Sequence, residues 1–459
     1  MSTLDGSIVN VAMPTFADPS IMPKGSFASA TWVYVGFSLT STAALLTGGR
    51  LGDLFGRRRI YIAGMLLFTL ASLFCGISPD IHWLIASRVL QALGSAMLLS
   101  NGAALLVDAF PPHQRGKALG LFGMTVALGL SSGAPLGGLL LTSPERWPII
   151  FLINLPVGVL GALLSMWALP KGQPSGTAKL DVRGAVLLAV FAGALGALIE
   201  SFRHGYHPER AMGLAAAAVL AGFVLHRVER QAQEPIIDFE LLSNRVFAGG
   251  SLALLFTFAA LPASLLLIPY YLHDLGRVPM SSVGVVMLAG PLALSVCAPL
   301  AGSLSDRIGT RTLTVAGMVL AAFGYTLLAF GVSESPRPFD VAWRSFIVGM
   351  GMGFFTAPNS SAVMGATPRA RLGLASGMLG TMRNLGAALG GAVSAVLFAT
   401  SFLAATGAAY TADLARANPA ATLGALRIAF LASAGFATLS ALLSALPKSK
   451  TPLPAGGGS

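Results

Sequence analysis

The sequence predicts an all-α polytopic membrane protein with two related six-helix halves, and three observations carry that reading. Of its 459 residues, 54% are hydrophobic and only 10% charged, whereas a soluble globular protein carries about 25% charged residues. Apolar runs of about 20 residues recur from end to end, the length that takes a helix across about 30 Å of hydrocarbon. Finally, GRLGDLFGRRR at 49–59 is echoed by GSLSDRIGTR at 302–311. Each copy follows a long apolar run, holds an Asp four residues after a Gly, and closes on Gly and Arg before the next run. Such spacing describes a very short turn between buried helices, and its recurrence points to two related halves.

Taken in order, the spans fall near 4–18, 29–50, 60–78, 82–108, 116–141, 148–169, 183–201, 211–227, 246–272, 280–304, 312–332, 341–365, 372–400 and 423–446. That makes fourteen, arranged as an N-terminal half (1–170), a linker region with two inserted helices (171–245), a C-terminal half (246–446) and a flexible tail (447–459). An inserted pair leaves the two halves in the same orientation. Within the linker, HRVERQAQEPIIDFELLSNR reads as an amphipathic surface helix with Ile236, Phe239 and Leu242 on one side. The first span is short and carries Asp5 almost at its beginning. At 1.5 Å per residue it cannot cross the bilayer, which predicts roughly ten further apolar residues upstream of the given start.

The net charge of +11 is explained by topology. Most of the 29 Lys and Arg residues fall on alternate loops, including 50–59, 115–117, 171–183, 227–245, 307–311, 369–371 and 448–450. By the positive-inside rule those loops are cytoplasmic, as are both termini, in a cell inner membrane. No nucleic-acid partner is implied. Cys75 and Cys297 sit within spans and suggest no disulfide framework, and His204 with His207 is too sparse for a metal site. The sequence therefore predicts no cofactor. Asn359-Ser-Ser matches a glycosylation pattern only by chance, because it lies at or inside a span.

Seven segments, in order, resemble the major facilitator superfamily and, within it, the fourteen-helix drug:proton antiporters. LDGSIVNVAMP (4–14), GRLGDLFGRRR (49–59), RVLQALGSA (88–96), GLSSGAPLGG (129–138) and RWPIIFLINLPVG (146–158) are similar to N-half motifs. PIIDFELLSNRVF (235–247) and GLASGMLGTMRNLGAALGG (373–391) continue the likeness. Two departures stand out. Gly133-Ala134 replaces the family's Gly-Pro, with Pro135 one place later, and Ala92 stands where the family has Gly.

The resemblance implies proton-coupled export of amphipathic drugs or toxic small molecules by a monomer, with the proton gradient as energy source. Asp5 is the leading candidate for proton coupling, since an acid at membrane depth is costly and tends to be functional. Burial disfavours its charged form and a nearby arginine favours it, so such an acid can take up and release a proton. Helices 1 and 4 line the N-half in the family, which makes Arg88 its partner. Asn10, Asn154, Arg383 and Asn384 are candidates for the substrate cavity. For Asn154, satisfying a helix break is an alternative. Arg383 and the shallower Arg344 serve either function or hydrogen bonding to helix-end carbonyls.

Gly129, Gly133 and Gly137, with Pro135 and Gly138 in the antiporter motif, make a flat helix face expected to pack between the halves, with plain packing against a neighbouring helix as the alternative. Gly386 and Gly390 repeat that spacing later in the chain. Gly49, Asp53, Gly56, Arg57 and Arg58, echoed by Asp306, Arg307 and Arg311, form gating loops in which each Asp can accept from a neighbouring helix end. No Walker loop is present, so ATP does not drive transport directly. The cargo reads as a lipophilic small molecule. An importing symporter would call for denser polar groups along the helices, and an enzyme for a clustered nucleophile or paired acids, neither of which the sequence offers.

Overall fold

A computed structural model describes residues 1–25, 27–141, 143–169, 208–231, 239–408, 410 and 412–446, together with isolated positions between 184 and 194. The described residues are helical with short connections. Helices α1 (Ser2–Ala17), α2 (Phe27–Phe55), α3 (Arg57–Gly76), α4 (Ile81–Ala109), α5 (Arg115–Leu140) and α6 (Ile149–Ala168) form the N-terminal half. Next comes α7 (Pro208–Gln231). The C-terminal half contains α8 (Arg245–Tyr270), α9 (Ala289–Ile308), α10 (Thr310–Phe330), α11 (Pro338–Gly365), α12 (Leu372–Thr406) and α13 (Pro419–Ala445). Among the described residues, eight helical stretches are both long and apolar enough to cross a membrane. Their outer surfaces stay greasy, with Trp167 86% and Leu164 62% exposed, as a lipid-facing belt requires.

Of the expected surface helix at 226–245, α7 covers His226 to Gln231 and Phe239–Ser243 forms a helical turn; residues 232–238 lie outside the described set. Most of the predicted span 183–201, and all of 447–459, also lie outside the described residues.

Both halves are packed in the same way. In the first, α1 lies on α5, and α4 on α2 and α3; in the second, α8 lies on α12, and α11 on α9 and α10. Small residues make these contacts close. A side chain at Gly129 or Gly133 of α5 would land on Thr3 or Ser7 of α1, and the Ser7 hydroxyl donates to the Gly129 carbonyl at 3.3 Å. Gly386 and Gly390 of α12 meet the backbone of Leu255 and Ala259 on α8 in the same manner. The glycine face of α5 thus packs inside its own half and not between the halves, as its spacing alone had suggested. Spacing reveals a flat face but not the neighbour it meets.

Replacing Gly133 by Leu is expected to push α1 off α5. Overpacking of this kind costs about 1–3 kcal/mol or more, readable as a lower unfolding temperature in detergent. Gly435→Ala, placed in open space on α13, should leave that temperature unchanged.

The tight turns follow from backbone geometry. Gly56 (φ 97°) joins α2 to α3 and Gly309 (φ 90°) joins α9 to α10, both in the left-handed region that costs other residues energy. At the opposite end of the molecule, Lys24 donates to Asp80 at 2.7 Å, and Asp80 caps α4 by accepting from the Trp83 amide at 2.9 Å. The Lys24 bond, then the Trp83 bond, hold the Asp80 carboxyl below its ordinary range. That capping contribution is present above the ordinary carboxylate pKa and fades as pH falls through the lower folded-state value.

Candidate functional site

Asp5 and Arg88 meet in the interior of the N-terminal half, 1% and 0% exposed. Asp5 reaches this point from the first turn of α1, and Arg88 from α4, about 10 Å along from Ile81. An Arg88 Nη1 to Asp5 Oδ2 ion pair joins them. The other carboxylate oxygen accepts from Asn154 Nδ2 of α6 at 2.8 Å and from Gln91 Nε2 of α4 at 3.1 Å.

Gln91 stands three residues after Arg88, on the same helical face. Its oxygen accepts from Arg88, while its amide nitrogen also donates to Ser72 of α3 at 2.7 Å. The Arg88 Nε donates to the Val33 carbonyl of α2 at 3.3 Å, and the guanidinium lies 4.1 Å from the Phe37 ring centre and 5.7 Å from that of Phe151. Every element of this half except α5 therefore supplies part of the pocket. The Asp5 charge is held by a guanidinium and two amides, so neutralising it would weaken three contacts at once.

A second arrangement closes one end of the molecule. Arg57, Arg115, Lys117, Arg307, Arg311 and Arg369 cluster at that end, called here the basic face. Asp53 of α2 accepts from the backbone amides of Gly373 and Leu374 at 2.9 Å each, at the start of α12 in the other half. Arg57 holds Asp53 at 2.7 Å and also bonds Asp108 and the Arg369 carbonyl. In the echoed loop, Asp306 of α9 accepts from Gly116 at 3.1 Å and Lys117 at 3.2 Å, at the start of α5.

Each acid thus occupies the positive end of a helix across the seam. Directly beneath, Gly49 abuts Gly373 and Gly302 abuts Gly116, so closely that a side chain on any of the four would strike the opposite backbone. Arg58 bonds the Met166 carbonyl and Arg311 the Ala445 carbonyl, tying the loops to the last helix of their own halves. Arg307 is exposed.

Above this seam lies a small, partly open cavity between the halves, of about 50 Å³ in this conformation. Leu45, Leu99, Leu119 and Phe122 face Leu379, Arg383 and Asn384 across it. Asn384 donates to Thr42 of α2 at 3.0 Å.

The profile of the Major Facilitator Superfamily matches residues 1–391 and 246–458. The chain belongs to this superfamily. Among curated relatives it is 33% identical over 402 residues to the riboflavin transporter RibZ of Clostridioides difficile, covering 87% of this chain and 86% of the relative. It is 31% identical over 409 residues to a multidrug resistance protein B homolog of Mycobacterium tuberculosis, covering 88% and 74%. The solved proton:xylose symporter XylE superposes with a TM-score of 0.65 at 13% identity, over 96% of this chain and 91% of that one, which shows a shared fold. This superfamily member is a transporter and not an enzyme.

Asp5 and Arg88 lie together, and Asp53 and Asp306 each accept from the amides at a helix start across the seam. Asn154 does not line the central cavity with Arg383 and Asn384; from the second turn of α6 it reaches Asp5 instead. Arg344 donates to the Gly331 carbonyl at 3.0 Å, at the end of α10, which is the helix-end alternative. Gly137 is buried on α5, while the side-chain surroundings of Asn10, Pro135 and Gly138 lie outside the described set. Sequence reasoning missed Gln91 and Ser72. A glutamine one turn from a buried arginine, within an apolar run, was the available signal for the first.

Proposed function

We propose that this superfamily member exports amphipathic small molecules by proton antiport, with Asp5 as the coupling acid. The observation carrying this reading is the buried Asp5 carboxylate held jointly by Arg88, Gln91 and Asn154. Protonation would cancel its charge, free Arg88 and loosen the contacts binding α1 to α4 and α6. Because α1 also rests on α5, whose first turn meets Asp306, a shift of α1 is positioned to bias the seam. The Asp53 and Asp306 caps hold the basic face shut in this conformation. Releasing them would open that side, giving alternating access around the cavity between the halves.

Relatives bearing multidrug names support the drug-like cargo, and the ordered motifs support the fourteen-helix antiporter subfamily with two inserted helices. The basic loops support an inner-membrane orientation with both termini cytoplasmic. The proposal includes a monomer driven by the proton gradient, with no cofactor, a lipophilic cargo and no nucleic-acid partner. The riboflavin-transporting relative supports a narrower second reading, in which the cargo is one aromatic metabolite and symport is the direction.

The test is dye efflux from cells lacking their own pumps, using anionic, neutral and cationic lipophilic dyes with and without a protonophore. Efflux of at least one dye that stops with the protonophore is the expected result. Accumulation driven by the gradient would replace export with import, and no transport of any dye by well-expressed protein would remove the drug-like cargo.

A further inference from the structure

The cavity between the halves contains a charge for which the described residues offer no counter-charge. Arg383 lies on α12, about 16 Å from the basic face by helical rise. No hydrogen bond or ion pair reaches its guanidinium among the described residues, its buried Nε lacks a partner, and its neighbour is the Phe258 ring at 5.2 Å. Other interior arginines are provided for: Arg88 has Asp5, Arg57 has Asp53 and Asp108, and Arg344 has the Gly331 carbonyl. A cation at this depth is costly without a partner.

Of the cavity's four other polar side chains, Ser360 is one and the remaining three already donate elsewhere. Asn384 already donates to Thr42, Ser376 to the Leu99 carbonyl at 3.4 Å, and Thr356 to the Met352 carbonyl. Among the described residues, no Asp or Glu lines the space. A cationic cargo would therefore find no counter-charge here and would face Arg383 itself. An anion would find an unoccupied guanidinium, whose planar fork matches the two oxygens of a carboxylate.

We propose that this cavity binds amphipathic organic anions, pairing a carboxylate or sulfonate with Arg383 and laying the apolar body against Leu45, Leu99, Leu119 and Phe122. The inference rests on the cavity between the halves being the cargo site, and it narrows the cargo from lipophiles in general to lipophilic acids.

Binding to purified protein in detergent tests it without any proton gradient. Two pairs of probes matched in shape separate charge from bulk: fluorescein against rhodamine 123, and 2-naphthoate against 2-naphthylmethylammonium. Wild type is expected to bind each anion at least about tenfold more tightly than its cationic counterpart. Arg383→Gln should erase that preference, and Arg383→Lys should keep part of it, because the charge remains while the fork is lost. Unfolding temperatures of both variants within a few degrees of wild type would show that the loss is local.

Equal binding of both charges, preference for the cations, failure of both anions to bind, or unchanged anion affinity in a folded Arg383→Gln protein would each overturn the proposal. Anion binding without proton-dependent export would instead leave this inference standing and sink the coupling scheme.

Discussion

Asp5→Asn is expected to abolish proton-driven export while leaving gradient-free exchange of cargo across the membrane. The substitution preserves shape: the amide oxygen can still accept from Asn154 and Gln91. What disappears is the carboxyl group and the charge opposite Arg88. Removing one member of a buried pair leaves the other uncompensated, and such losses cost about 3–5 kcal/mol. Taken alone, the single variant would thus confuse lost coupling with lost stability. Asp5→Asn combined with Arg88→Gln separates them.

The double variant has no stranded charge, so its unfolding temperature should recover most of the difference while proton-driven export stays absent. Cargo counterflow in proteoliposomes with no pH gradient should persist in both proteins. Wild-type export from the single variant would remove Asp5 from the coupling step. A double variant no more stable than the single would show that the pair is not the energetic unit its geometry describes.

The membrane-spanning helices and the tight turns at 49–59 and 302–311 were legible in the sequence because bilayers restrict the options. A chain in hydrocarbon must satisfy its backbone hydrogen bonds internally, so apolar runs can be read as helices, and a Gly-Asp-Gly-Arg turn as a tight reversal. Gly56 and Gly309 have positive φ, in keeping with that reading. The partners were harder to see. Asp53 meets Gly373, far along the chain, and nothing local to either residue specifies the match.

Gln91 was missed for a related reason. A lone amide in an apolar run looks like tolerated polarity until the fold places Asp5, Arg88 and Ser72 around it. For the glycine face of α5 the spacing was informative, but the neighbouring helix was settled only by three-dimensional packing. Sequence alone also left Arg344 and Arg383 equivalent. The carbonyl of Gly331 absorbs one, whereas the other faces the cavity without an acceptor.

Leucine at Gly49 or at Gly302 is expected to hold the basic face open and to cut transport by about tenfold or more. At each site the added side chain would collide with the backbone of Gly373 or Gly116 in the opposite half, and backbone cannot rotate away as a flexible side chain can. Collision also withdraws the helix ends from Asp53 and Asp306, whose charge-assisted hydrogen bonds contribute about 1.5–3 kcal/mol each. A loss of about 3 kcal/mol from one state of a two-state equilibrium shifts its population by roughly a hundredfold. Ser305→Cys, in a background with Cys75 and Cys297 replaced by serine, provides the readout, because Ser305 is buried beside Gly302 at the seam. A membrane-impermeant maleimide reaching the basic face should label that cysteine at least about ten times faster in the Gly49→Leu protein than in its parent. Gly49→Leu is the more telling variant, since it lies on the opposite seam from the reporter: faster labelling there would mean that the two seams open together. Labelling that rises only for Gly302→Leu would mean that each seam yields alone, and the paired acids would then be two separate latches.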